Sequence, residues 1–377
     1  MKKKHFNSRR DFIYSMGLTG LGIPFLSANI NCENNTSNQK IMQPEKKKLG
    51  VALVGLGGYA TGQLAPALQQ TEHCYLAGIV TGTPSKIPIW KEKYGLSDKN
   101  IYSYENYDSI KDNPDIDIIY IVLPNHLHKE YTIRGFEAGK HMICEKPMAV
   151  SVEECKAMMA ASKNANKHLS IGYRLHYDPF NLEMIKLAKD KVYGEVKSIE
   201  TDFSITPRKG EWRLNKKIAG GGPLMDVGIY CMQAVCYITG SEPLAVTAKT
   251  YPITDKEKFL DIEETLDFDM EMPGGITGKC RTSYSYSKSF LQVNCEGGWF
   301  RLEPSYFYGG IKFTSSDGRK FELPPFSQQA KQLDAMAMSV KNNQPSKTPG
   351  EMGLRDMKII EAIYASMNSN KRIVLNK

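Results

Sequence analysis

From residue 50 onward, short apolar runs alternate with stretches of helical period. GVALVG (50–55), CYLAGIVTG (74–82), DIDIIYIVLP (115–124), HMICEKP (141–147) and HLSIGYR (168–174) have the length and composition of buried strands. Between them, Tyr59 to Gln70, residues 84–94, HKEYTIRGFEAGK (128–140) and SVEECKAMMAASKNAN (151–166) have the spacing of amphipathic helices. Strand and helix in strict alternation predict a doubly wound parallel sheet of α/β class.

The rhythm changes near residue 175. FNLEMIKLAKDKVYG reads as a helix, EVKSIETDFSI as a strand, and residues 223–240 as a helix. From 243 to 324 the chain is strand-rich, with short connections and period-two alternation, which predicts an open antiparallel sheet. QAKQLDAMAMSVKNN and MGLRDMKIIEAIYASMN close the chain as helices. The expected organisation is a nucleotide-binding domain over 49–174 and an α+β substrate and oligomerisation domain over 175–377, with the last helices free to pack back on the first.

The N-terminus stands apart from this pattern. Lys2 to Arg10 form a basic stretch, and Phe12 to Leu26 an apolar one too short to span a bilayer. Ser8-Arg9-Arg10-Asp11-Phe12 fits the twin-arginine export pattern. Residues 1–28 therefore read as a signal peptide handled by the twin-arginine translocase, with a periplasmic destination. Residues 29–48 read as a flexible polar arm. Cys32 is a position where a lipid could be attached, but Asn31 before it is not the small residue such sites favour.

Charge and cysteine content narrow the function classes. The 377 residues carry a formal +8, and Lys2, Lys3, Lys4, Arg9 and Arg10 against Asp11 give the leader half of it. The remainder is spread along the chain, which argues against a nucleic-acid partner. The 8 cysteines show no CxxC pair and no zinc-like spacing, so no metal site is expected. Most lie in apolar runs and read as buried thiols; one disulfide is left open.

Candidate chemistry begins at Gly55-Leu56-Gly57-Gly58-Tyr59-Ala60, which follows a strand and opens a helix. That is the setting of a dinucleotide fingerprint: Gly55 for the tight turn, Gly57 for close approach to a pyrophosphate, Ala60 for helix–strand packing. The end of the second strand, Val80 to Lys86, holds no carboxylate for a ribose 2′-hydroxyl. Thr81 and Lys86 instead suit a 2′-phosphate, which favours NADP over NAD. Glu145-Lys146-Pro147 ends another strand, where ligands of such sheets sit. Asp226 and Tyr230 stand four apart in the segment after Gly220-Gly221-Gly222. A tyrosine beside a lysine can pass the proton that accompanies a hydride. On spacing alone, Tyr230 would more often be a core aromatic.

These motifs together, GxGxxA, then Pro124-Asn125-His126-Leu127-His128, then EKP, resemble the Gfo/Idh/MocA oxidoreductases. Most members carry D-x-G-x-H at the second stretch, whereas this chain has D-x-G-x-Y. IGYRLHYDP, EWRLNKKIAGGG and SKTPGEMGLRDMKIIEAIY look like the glucose–fructose oxidoreductase branch, and the resemblance runs from about residue 49 to the C-terminus. It implies a Rossmann domain followed by an open-sheet domain. Lys146 and Tyr230 would be catalytic, with Asp226 beside the sugar. Gly55, Leu56, Gly57, Gly58, Tyr59 and Ala60 would form the phosphate loop, and Thr81 and Lys86 would grip the 2′-phosphate. Tyr104, Pro124, Asn125, Glu145, Lys146, Arg174, Trp212, Arg213 and Tyr308 would be further cofactor contacts. His128 falls at the PNxxH histidine and reads equally as a locally satisfied residue. Family members in this branch cover the adenine with a long arm from a neighbouring subunit, and here residues 29–48 offer only a short one.

The resemblance implies an NADP-dependent sugar oxidoreductase and a homo-oligomer, dimer or tetramer. Twin-arginine export moves folded proteins, so NADP could travel inside the enzyme to a compartment with no nicotinamide pool. The expected reaction is therefore a closed cycle: one aldose is oxidised at C1 to a lactone, and a second sugar takes the hydride back. A redox-neutral NAD(P)-dependent glycosidase of the same fold meets the same constraint. A non-catalytic sugar-binding protein is the third reading.

Overall fold

The computed structural model describes residues 48–375. The expected twin-arginine leader, Cys32 and the expected arm as far as residue 47 lie outside the described residues.

Six strands form the first sheet: β1 (Leu49–Val54), β2 (Cys74–Val80), β3 (Ile101–Tyr102), β4 (Ile118–Ile121), β5 (His141–Cys144) and β6 (Leu169–Ile171). All pairings are parallel, in the order β3-β2-β1-β4-β5-β6. The order reverses between β1 and β4, and the carboxyl ends there open a crevice. Every residue of β1 is buried, as expected of a strand covered on both faces. The intervening helices are α1 (Ala65–Leu68), α2 (Lys86–Tyr94), α3 (His128–Glu137) and α4 (Val152–Ala165). One feature departs from the sequence reading: the helix after Gly58 begins as a π-turn, Ala60–Leu64, before α1. Pro66 lacks the N–H that a regular ladder would use at that point.

The second sheet has eight strands: β7 (Val196–Ser204), β8 (Ala245–Thr250), β9 (Thr265–Glu271), β10 (Thr277–Ser283), β11 (Lys288–Cys295), β12 (Gly298–Leu302), β13 (Phe313–Ser315) and β14 (Ile373–Val374). Their order is β13-β12-β11-β7-β10-β9-β8-β14. The sheet is antiparallel except at β7–β10, which run parallel, so the antiparallel expectation is corrected to a mixed sheet. The reason is topological: β7 precedes a long helical crossover and enters between two strands that come later. Helix α5 (Pro179–Lys189) precedes β7, and helices α6 (Lys216–Ala219) and α7 (Ile229–Thr239) belong to that crossover. Nine of the eleven residues of α7 are buried, and it packs on β7 and β10.

Two last helices, α8 (Gln328–Asn342) and α9 (Gly350–Ser369), return to the first domain. Ala330, Leu333, Met336 and Ala337 of α8 share a buried cluster with Val51, Leu53 and Leu64. The carboxylate of Asp334 accepts the backbone N–H groups of Glu72 and His73 at 3.0 and 2.8 Å. The chain ahead of α9 bonds to β6, through Ile171 N–H to Thr348 O at 2.8 Å. The two domains therefore share one framework, with the crevice between them. The seven cysteines of the described residues are all free thiols, six of them buried.

Candidate active site

A cleft of about 670 Å³ opens at the carboxyl ends of β1, β2, β4 and β5 and is closed on its far side by the second domain. Gly55 holds φ at +92°, and a Cβ there would fall 2.6 Å from the carbonyl oxygen of Val122, so only glycine fits. Gly57 and Gly58 are exposed to the cleft, and a Cβ on either would meet nothing within 4 Å. Their backbone is thus open to a ligand. Lys86 Nζ donates to the carbonyl of Leu56 at 2.7 Å, which brings its charge to the glycine turn. Thr81 lines the same end, and its Oγ1 accepts the N–H of Thr83 at 3.1 Å. The lack of a Cβ at Gly82 lets the Tyr104 ring lie against it; a Cβ would come within 2.9 Å of that ring. Glycines, a lysine, a hydroxyl and no carboxylate at the end of β2 together fit a dinucleotide that carries a 2′-phosphate.

At the other end of the cleft, Lys146 lies just beyond β5. Its Nζ donates to the main-chain oxygen of Asp226 at 2.6 Å and to Asp226 Oδ1 at 3.3 Å. Asp226 Oδ2 accepts from Arg213 and, at 3.0 Å, from the Tyr284 hydroxyl. Glu211 Oε2 in turn accepts from Arg213 Nε at 2.9 Å. Burial opposes the charge on Asp226, but Lys146, Arg213 and Tyr284 outweigh it and hold its carboxyl at about 2. Burial likewise opposes the Lys146 charge, yet Tyr230, Asp226 and Glu145 keep its pKa above the ordinary lysine value. Asp226 is therefore a fixed anion rather than a proton donor.

Tyr230 lies in the first turn of α7 and is 8% exposed. The Lys146 ammonium lies 4.9 Å from its ring centroid and the Arg174 guanidinium 5.0 Å, so two cations flank it. Tyr308 reaches across from the second domain and stacks on Tyr59 with centroids 5.8 Å apart. Glu145 is buried; it accepts from the Tyr120 hydroxyl at 2.6 Å, which accepts from Gln332 of α8 at 2.8 Å. Burial pushes the Glu145 carboxyl up, against the lowering effect of Tyr120, Lys146 and Arg174.

Of the residues expected at the site, Gly55 to Tyr59, Thr81, Lys86, Tyr104, Pro124, Asn125, His128, Glu145, Lys146, Trp212, Arg213, Asp226, Tyr230 and Tyr308 line this cleft. Ala60 and Arg174 do not. Ala60 is fully buried in the packing beneath the glycine turn. Arg174 lies behind Tyr230 and Tyr308, bonded to Gln328 and the Tyr306 carbonyl. His128 has both ring nitrogens 2.8 Å from backbone carbonyls, those of Pro147 and Leu123, and so ties the PNxxH turn to the EKP turn. Asn125 bonds across the crevice to the Ala219 carbonyl at 2.8 Å. Tyr284, Glu211 and Tyr120 were not expected; Tyr284 and Tyr120 reach the site through partners distant in sequence, and Glu211 through Arg213, two residues on.

Family models match both halves of the chain. An oxidoreductase family with an NAD-binding Rossmann fold covers residues 49–173, and the GFO/IDH/MocA C-terminal domain covers 182–301. The fold superposes on the crystal structure of an aldose–aldose oxidoreductase from Caulobacter crescentus, complexed with glycerol, with a TM-score of 0.85. The two share 39% identity over 87% of this chain and 100% of that one. The chain belongs to the Gfo/Idh/MocA oxidoreductase family. A D-xylose 1-dehydrogenase [NADP(+)] from Haloarcula marismortui is 25% identical over 336 residues, 86% of this chain and 92% of that one. A 3-ketoreductase from Actinomadura kijaniata, crystallised with NADP and TDP-benzene, shares the fold at 20% identity and a TM-score of 0.75, over 85% of this chain and 98% of that one. The glycine turn and the Lys146–Asp226–Tyr230 group lie at the two ends of one cleft.

Proposed function

We propose that the protein is an NADP-dependent sugar oxidoreductase that turns over two sugars on one retained cofactor. The observation that carries the reading is the convergence of Lys146, Asp226 and Tyr230 at the domain-facing end of a cleft whose other end fits a 2′-phosphate dinucleotide. Similarity to an aldose–aldose oxidoreductase and to an NADP-dependent D-xylose 1-dehydrogenase supports a sugar as substrate.

When bound, the nicotinamide supplies a hydride acceptor and donor. Tyr230 takes the proton from the anomeric hydroxyl while the C1–H bond breaks, which leaves a lactone. Lys146 donates to the sugar oxygen and holds Tyr230 and Asp226 in register. Asp226 keeps Lys146 charged and in place. For the second sugar the roles reverse: its carbonyl carbon receives the hydride and Tyr230 returns the proton to its oxygen. Arg9 and Arg10 support export by the twin-arginine translocase to the periplasm, with NADP carried inside the folded enzyme. The outer face of the eight-stranded sheet is a candidate surface for a homo-oligomer.

Isotope transfer tests the cycle. Purified protein, with no cofactor added, is given glucose deuterated at C1 together with fructose or xylose as acceptor. Deuterium in the reduced sugar supports the reading; a lactone formed with no deuterium in the acceptor sugar, or no oxidation at all, contradicts it. For export, Arg9→Lys with Arg10→Lys is expected to hold the protein in the cytoplasmic fraction, and unchanged periplasmic recovery would remove the twin-arginine assignment.

A further inference from the structure

The glycine turn ahead of Asp226 is shaped by a carboxylate from elsewhere in the chain. Glu263 lies in the segment between β8 and β9 and is 8% exposed. Its Oε2 accepts the N–H of Gly222 at 3.0 Å. Its Oε1 accepts the N–H of Leu224 at 3.2 Å and the hydroxyl of Tyr364, from α9, at 3.0 Å. Two of these three donors are backbone, so the carboxylate fixes the path of the main chain.

The three glycines are what this arrangement requires. A Cβ on Gly222 would sit 2.6 Å from the Glu263 carbonyl oxygen and 2.8 Å from its carboxyl carbon. A Cβ on Gly221 would sit 2.0 Å from the Tyr364 hydroxyl oxygen, and Gly220 holds φ at +83°. Leu224, one of the clasped residues, is the first residue of a π-turn, Leu224–Gly228, that contains Asp226 and leads into α7. The contact from Asp226 to Lys146 is chiefly a main-chain one: the carbonyl oxygen lies at 2.6 Å from Nζ and the carboxylate at 3.3 Å. If the turn shifts, the acceptor of Lys146 shifts with it, and rotation of the Asp226 side chain cannot restore that contact.

We propose that Glu263 is a positioning residue: clasped by Gly222, Leu224 and Tyr364, it sets the turn that presents the Asp226 carbonyl to Lys146. This rests on Lys146 acting at the sugar, as proposed above. Glu263 does not line the cleft and acts through the turn.

The test is the rate at which glucose, with xylose as a second probe, reduces the cofactor held by the purified enzyme. Glu263→Ala is expected to lower the maximal rate by about tenfold or more, because small displacements of a positioned group are costly. Glu263→Gln should lose less, and Tyr364→Phe a few-fold. Cofactor content and the half-saturating sugar concentration should stay near those of the unaltered enzyme. An unchanged maximal rate in these variants overturns the proposal, as does a loss that falls wholly on cofactor content. If Glu263→Ala does not fold, Glu263→Gln and Tyr364→Phe decide by the same criterion. Lys146→Met separates the two claims: if that variant still reduces at the unaltered rate, the reading of the site fails; if Lys146 is essential and Glu263 is not, only the positioning role fails.

Discussion

At Asp226 three side chains converge on one carboxylate: Lys146 on Oδ1, Arg213 and Tyr284 on Oδ2. Its depressed pKa carries a stability consequence with a definite sign. The folded form binds its proton less readily than the unfolded chain, where a free Asp titrates near about 3.9. The stabilisation is therefore complete above about pH 4 and is lost as pH falls through about 2. It amounts to roughly 2–3 kcal/mol. Denaturant melts of the unaltered protein and Asp226→Asn should differ by a margin that is constant above about pH 4 and shrinks towards about pH 2. A margin that stays the same at all pH values contradicts the assignment. Tyr230→Phe keeps the ring between its two cations and removes the hydroxyl. Turnover should fall by about 10² or more with cofactor still bound, and retention of turnover would remove Tyr230 as the proton carrier.

At the scale of elements, two π-turns flank the cleft, Ala60–Leu64 at the phosphate end and Leu224–Gly228 at the reacting end. Such turns occur often at functional sites because they re-aim side chains within a helix. The glycine turn leading into the first is sterically fixed. Gly55→Ala would force a side chain against the Val122 carbonyl at a φ that L residues avoid. It should cost about 1–3 kcal/mol, and the purified variant should carry little cofactor; full cofactor content would show that the turn tolerates a Cβ. The elements that were legible in the sequence are those whose logic is local. Gly55 to Ala60, the EKP strand end and the Asp226/Tyr230 pair each sit within a few residues. The π-turns were not legible, because the apolar spacing of Tyr59–Gln70 and 223–240 reads the same in either helix type. Tyr284 and Glu263 were missed for a related reason: each reaches the site through a fold contact with a residue far away in the sequence. The parallel β7–β10 pair escaped because strand order is set by the crossover and not by alternation.

For the molecule as a whole, the C-terminal helices hold the crevice in shape. Gln332 of α8 supports Tyr120, which supports Glu145 inside the cleft. Leu333 of the same helix is 1% exposed in the cluster under β1. Leu333→Ala should cost about 2–5 kcal/mol in a denaturant melt; a cost below about 1 kcal/mol would show that α8 is not part of the first domain's core. Tyr59 from one domain and Tyr308 from the other meet over the cleft, which agrees with a cofactor enclosed on both sides. In the proposed cycle, one NADP stays in the enzyme and serves two sugars. The most direct measurement is the near-ultraviolet absorbance of the purified mature protein with no cofactor added, first with glucose and then with fructose. The band of reduced nicotinamide should grow with glucose and vanish with fructose. A protein that carries no cofactor, or whose cofactor no sugar reduces, would contradict it.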